Sequence, residues 1–224
     1  MDKFIKVIII SSLIFASYVA GKYGLANVAF KDVEKQIAFW QKLPEDSELF
    51  TLLTVQQQDK ANALDEPTSH SEYATATNVS LRQSYQNALK SIDKAIALHR
   101  LPQYIESKAQ LLEWGVRLGI ESNKVKTLHQ ANALYLQSVR LRPTWPTTWA
   151  ALALNKWHLQ EFDQEMITYL LNAHKFGKNK PEVKQLWQQL GYALADSENK
   201  ELVKLISPYK IILDKYRSEG TKVK

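Results

Sequence analysis

The sequence predicts an all-α protein, with an N-terminal membrane helix followed by an array of helical hairpins. Three observations lead there. Only 7 of the 224 residues are glycine, and long runs rich in Ala, Leu, Lys, Gln and Glu favour helix. Alternating β-branched residues, the mark of a strand, are nearly absent after residue 30. The N-terminus carries two lysines and then a long apolar run.

Composition narrows the functional classes. With 45% hydrophobic and 23% charged residues, the chain suits one soluble domain plus extra segments. Zero cysteines rule out disulfides and thiolate metal sites, and suit an oxidising compartment. The net charge of +6 is unevenly spread. Residues 43–79 hold seven acids and one lysine, whereas 175–224 hold eleven basic and six acidic side chains. Because those lysines alternate with acids along helices, they read as a solvated surface and not as a nucleic-acid face.

The first element is "MDKFIKVIIISSLIFASYVAGK". Lys3 and Lys6 precede fifteen uncharged residues, Val7 to Gly21, and Lys22 closes the run. That is the pattern of a secretory signal or a signal anchor. Cleavage after Ala20 would put Tyr18 at the −3 position, a poor fit, so a retained anchor over residues 1–29 is expected. Fifteen helical residues reach about 22 Å, short of a ~30 Å hydrocarbon core. Snorkelling by Lys6 and Lys22, with continuation through "YGLANVAF", makes up the difference. The positive-inside rule then sends residues 30–224 across the membrane.

The second element, residues 30–79, is read as an amphipathic helix and an acidic linker. Phe30, Val33, Ile37 and Trp40 recur at spacings of three and four, and Pro44 stops the helix. From Glu45 to Thr77 come glutamine runs, acids and small polar residues, with only "LFTLLTV" apolar enough to pack.

Residues 80–218 are expected to form helical repeats, with a polar tail at 219–224. "WQQLGY" places Trp187, Leu190 and Gly191 on the first-helix signature of the tetratricopeptide template; Trp149, Leu152 and Ala153 fit it with alanine for glycine. Ala131, Tyr135 and Pro143 fit the second-helix signature, and Ala88, Ile92 and Ala95 have a similar look. Small residues let helices approach while the large rings fill the space beside them. The register departs at Glu165, where alanine is wanted, and at Gly177, where proline is wanted. Resemblance to this template implies that Trp149 and Trp187 are core. It also implies a partner-binding groove of Thr147, Ala150, Leu154, Trp157 and His158 from one repeat, and Gln185, Gln188 and Tyr192 from the next. Packing of Trp157 against a neighbouring helix is the competing reading.

"LRPTWPTTWAALALNKW", "EFDQEMITYLLNAHKFG" and "KPEVKQLWQQLGY" together resemble the VpsP-type family of bacterial polysaccharide biosynthesis proteins, best over residues 130–195. The resemblance implies a pathway, an inner-membrane anchor with a periplasmic domain, and a partner in the polysaccharide assembly or export machinery. A glycan is the alternative partner. No catalytic residue comes with it.

Catalytic signals are weak. His70, His99, His129, His158 and His174 lie in no metal-ligand spacing, so neither metal nor cofactor is expected. His158 and Glu161 are three apart, a spacing that would share one helix face. Glu161, Asp163 and Glu165 sit where acids favour the start of the next helix. "KFGKNKPE" is too polar and short for a phosphate loop; its Lys175, Lys178 and Lys180 cap a helix end near Gly177. The expectation is a non-catalytic, membrane-anchored scaffold. The rival readings are a periplasmic subunit or enzyme acting on the glycan, and a cytoplasmic assembly protein whose N-terminal helix is buried or lies at the membrane surface.

Overall fold

The computed structural model describes residues 2–42 and 69–220, with side chains described for 4–42 and 80–216. Most of the expected linker, 43–68, lies outside the described residues. Among the described residues there is no strand, so the chain is all-α. It divides into two compact units, Met1–Ser122 and Asn123–Lys224.

In the first unit, α1 (Asp2–Gln41) is a single unbroken helix of 40 residues with two different halves. The side chains from Phe4 to Tyr18 are exposed, although most are large and apolar. The helix from Phe4 to Gln41 is long and apolar enough to cross a membrane, and none of its most apolar stretch is buried. From Ala26 onward a stripe of Ala26, Phe30, Val33, Ile37 and Trp40 is buried. Spacings of four, three, four and three keep that stripe on one face.

The stripe packs on α2 (Ser69–Leu98) and α3 (Pro102–Arg117). Tyr23 meets His99 at 4.2 Å between ring centroids, and Trp40 meets Tyr85 at 6.3 Å. The middle of α1 therefore lies beside the end of α2 and the last turns of α1 beside its middle, so the two run antiparallel. Ala88, Ile92 and Ala95, singled out in the sequence, are buried against α1. Gly115 of α3 is needed because an added Cβ would strike the Tyr85 ring. The Tyr85 hydroxyl donates to Glu121 at 2.8 Å; burial, then that bond, raise its pKa well above the tyrosine range.

The amphipathic helix expected from Phe30 to Trp40 is present, and it serves as a core helix of the first unit. The amphipathic pattern was visible, but its partner α2 lies beyond the whole acidic segment.

The second unit has α4 (Lys124–Leu141), α5 (Pro146–His158), α6 (Gln164–Gly177) and α7 (Pro181–Leu186). A π-helical turn (Trp187–Gly191) follows, then α8 (Tyr192–Ala195), α9 (Lys200–Ile206), a 3-10 turn (Ser207–Tyr209) and α10 (Lys210–Gly220). Helix starts follow local chemistry. Asn123, Asp163 and Asn199 accept backbone N–H bonds as N-caps, while Pro146 and Pro181 occupy the first turn, where a missing N–H costs nothing.

Helices α4, α5 and α6 run antiparallel in succession, as in helical hairpins. Asn155 near the end of α5 donates to Leu128 O near the start of α4, at 3.2 Å. Gly177 at the end of α6 lies so close to Pro146 at the start of α5 that a Cβ would collide with the proline ring. Ala131 and Tyr135 are buried on α4 as the repeat template requires. Trp187 is fully buried.

Candidate partner-binding surface

Helix α5 is the centre of the second unit, packed against α4, α6 and α7. Its burial is nearly all-round: Thr148, Leu152, Ala153 and Asn155 are closed off. The buried Asn155 side chain also accepts from Asn132 Nδ2 at 3.1 Å, so both ends of its amide are satisfied. What remains open is a narrow stripe: Thr147, Ala151 and Leu154 are half-buried and His158 is exposed.

The expected groove is only partly assembled. Thr147, Leu154 and His158 lie along the open stripe, but Ala150 retains 8% exposure and faces the core. Trp157 is half-buried, with its ring edge-on to Phe162 at 5.1 Å, so it packs the α5–α6 turn. Trp149, expected in the core, falls in the same burial class. Its indole N–H donates to Pro143 O at 2.7 Å and its ring lies 5.8 Å from Tyr169. The spacing from Pro143 to Trp149 is thus closed by a hydrogen bond at the hairpin turn, not by deep burial.

From the next repeat, Gln185 is exposed, but Gln188 and Tyr192 are engaged by α10. Gln188 Nε2 donates to Tyr216 O at 3.2 Å, and the Tyr192 hydroxyl donates to Leu213 O at 3.3 Å. Two causes defeat the positional count. The π turn advances the chain by an extra residue, rotating everything after Leu186 relative to a straight α-helix. The C-terminal helix then covers the face where a groove was expected, with Leu213 and Tyr216 buried in it.

The strongest electrostatic feature is one that sequence reasoning missed. Lys156 has a side chain only 8% exposed, and its Nζ lies 2.8 Å from Glu161, 2.9 Å from Asp163 and 2.8 Å from Glu165. Burial works against its charge, but hydrogen bonds to the three carboxylates outweigh that and hold its pKa well above the lysine range. Burial likewise opposes ionisation of Asp163, yet the bonds from Lys156 and the Met166 N–H keep its pKa low. Glu165 is held low chiefly by Lys156. The carboxylates lie five, seven and nine residues past the lysine, across a turn in which Gln160 adopts a left-handed φ of 58°. No helical spacing announces such a cluster.

The same turn corrects the His158–Glu161 reading. The helix ends at His158, and Glu161 swings back to Lys156 and, at 3.6 Å, toward His129 of α4. The two residues do not share a helix face. Asp163, as expected of an acid here, caps α6 by accepting from Met166 N at 2.9 Å.

Trp145 was passed over as a contact residue. It is 44% exposed, with Arg142 stacked over its ring at 4.3 Å and exposed Leu141 on the same turn. The signal available was its place directly before Pro146, which forces an extended backbone and turns the ring out of the helix. Among the described residues, no group of three or more His, Cys, Asp or Glu side chains could hold a metal ion.

No protein-family model matches the chain, and no curated protein matches it.

Proposed function

We propose that the protein is a non-catalytic, membrane-anchored scaffold that holds a protein partner of bacterial exopolysaccharide assembly or export. The observation that carries this reading is α1. One helix is exposed and apolar over a membrane's length, then buried and packed as a core helix, without a break between them. A tether of that kind holds the first unit against the bilayer instead of letting it diffuse on a flexible leader, and raises its effective concentration for membrane partners.

Lys3 and Lys6 before the apolar half support the orientation with the folded units outside the cytoplasm. The pathway rests on the residue resemblance over 130–195 alone. For contact, the second unit offers Thr147, Leu154 and His158 on α5, with Trp145 and Leu141 at the hairpin turn. An exposed aromatic beside an arginine suits a protein interface. Against an enzyme acting on the glycan, the acids that converge, Glu161, Asp163 and Glu165, are each paired with Lys156 at a helix turn.

The test is a chromosomal deletion of residues 1–24 behind a cleavable leader, so that folded units reach the same compartment untethered. Exopolysaccharide output should fall while the protein level holds. Output equal to that of the parent strain would overturn the proposal.

A further inference from the structure

We infer that the cleft between α1 and the α2–α3 loop binds the phosphate-bearing headgroup of an anionic phospholipid. This rests on the membrane-anchor reading and deepens it. The cleft measures about 380 Å³. Tyr18, Lys22 and Tyr23 of α1 line one side, and Leu98 at the end of α2 with His99 and Arg100 of the loop line the other. The cations in it are Lys22 and Arg100; none of its lining residues is acidic.

Its depth follows from the helix. Val19 and Lys22 are the first α1 side chains to lose exposure along the chain, so protein cover begins there. From Lys6 to Lys22 the helix rises about 24 Å, roughly 6 Å less than a ~30 Å hydrocarbon core, and snorkelling of the two long side chains carries both charges to its boundaries. The α2–α3 loop thus reaches headgroup level. Its backbone is fixed there by His99 N to Ala95 O at 2.9 Å and Leu101 N to His99 O at 3.0 Å.

The side chains match that depth. Tyr18 and Tyr23 are the amphipathic rings typical of a membrane boundary. Tyr23 lies against His99 at 4.2 Å between centroids, and Lys22 Nζ sits 5.9 Å from the Tyr18 ring centre. The cations are therefore held around an opening whose lower wall, Phe15 and Val19, is apolar. A phosphate above an acyl chain has that order of polarity. A soluble anion would gain nothing from the apolar wall.

The test uses the full chain in neutral detergent, with phosphatidylglycerol and phosphatidylcholine competing for it and native mass spectrometry as readout. One phosphatidylglycerol should bind in preference. Lys22→Gln with Arg100→Gln should cut that preference about thirtyfold, roughly fivefold per basic group at an anionic surface. Lys31→Gln, which removes an exposed charge paired with Glu34 on the same helix, should leave it unchanged. Equal binding of the two lipids, or a double variant that keeps the preference, overturns the inference. So does a thermal shift from inorganic phosphate as large as that from the lipid, which would mark a plain anion site. Flotation with phosphatidylcholine vesicles separates the two levels: a chain that floats without lipid preference sinks only this inference, and one that does not float sinks the anchor reading with it.

Discussion

The indole N–H of Trp187 donates to the carbonyl of Leu170 at 3.1 Å, so a fully buried ring in the π turn is bonded to the middle of α6. Trp149 makes the equivalent bond to Pro143 at the edge of the unit and stays half-buried. Two tryptophans that occupy the same template position are therefore unequal. Trp187→Ala should cost about 3–5 kcal/mol, the range for deleting a large buried ring. Trp149→Ala and Trp157→Ala should each cost about 1–2 kcal/mol, for partial burial and one aromatic contact. Chemical denaturation of the three variants orders them, and equal losses would contradict the packing described.

The two close-approach glycines of the second unit should also differ. A Cβ at Gly177 meets the rigid ring of Pro146, whereas one at Gly191 meets the far end of the Leu213 side chain, which can turn aside. Gly177→Ala should thus cost about 2–3 kcal/mol and Gly191→Ala about 1 kcal/mol or less. Thermal melts showing the reverse order would refute this.

The Lys156 cluster gives a pH dependence with a definite sign. Folded Asp163 and Glu165 titrate below their unfolded values, so their contribution is complete above the ordinary carboxylate range. It is lost as pH falls through their depressed folded values. The carboxylates are about half exposed, so the whole cluster is worth only about 1–2 kcal/mol. Melting temperature should drop as the pH is taken from 5 to 3, and Lys156→Met should flatten that drop. A Lys156→Met curve parallel to the parent would remove the cluster from the explanation.

His174 adds a second step at higher pH. Its Nδ1 lies 2.7 Å from the Tyr216 hydroxyl, and burial, then Lys215 and Lys178, depress its pKa. A base depressed in the folded state contributes stability above its unfolded pKa of about 6.5 and loses it as pH falls below that. The second unit should soften between pH 7 and 5, and His174→Gln should remove that step. A step that survives the substitution must come from another group.

The helical class, the apolar N-terminal helix, Ala131 with Tyr135, and the buried Trp187 were legible because each depends on spacing within one helix. The rest depends on partners distant in sequence or on a broken period. The amphipathic face from Phe30 to Trp40 was legible but not what covers it, because α2 returns only at Ser69. The groove count failed at the π turn and under α10, since a template position assumes a regular helix and an open face. Lys156 gave no sign of its role because its carboxylates lie across a turn, where no helical spacing applies.

The boundary between the exposed and the buried half of α1 is open to a deletion series. Removing residues 1–24 should leave the first unit folded, because its buried stripe starts at Ala26. Removing 1–42 should unfold it, exposing the α2 and α3 residues that Phe30, Val33, Ile37 and Trp40 now cover. Circular dichroism and limited proteolysis would show this; two deletions of equal stability would mean that α1 is no part of the core.

The most direct test of the account asks whether one helix is at once membrane span and core helix. The chain contains no cysteine, so a single introduced thiol is an unambiguous reporter. Leu13 and Phe39 are both exposed positions on α1, one in each half. In intact cells with a permeable outer envelope, a membrane-impermeant maleimide should label Phe39→Cys and leave Leu13→Cys untouched until detergent is added. Labelling of Leu13→Cys without detergent, or of Phe39→Cys only after lysis, would contradict it.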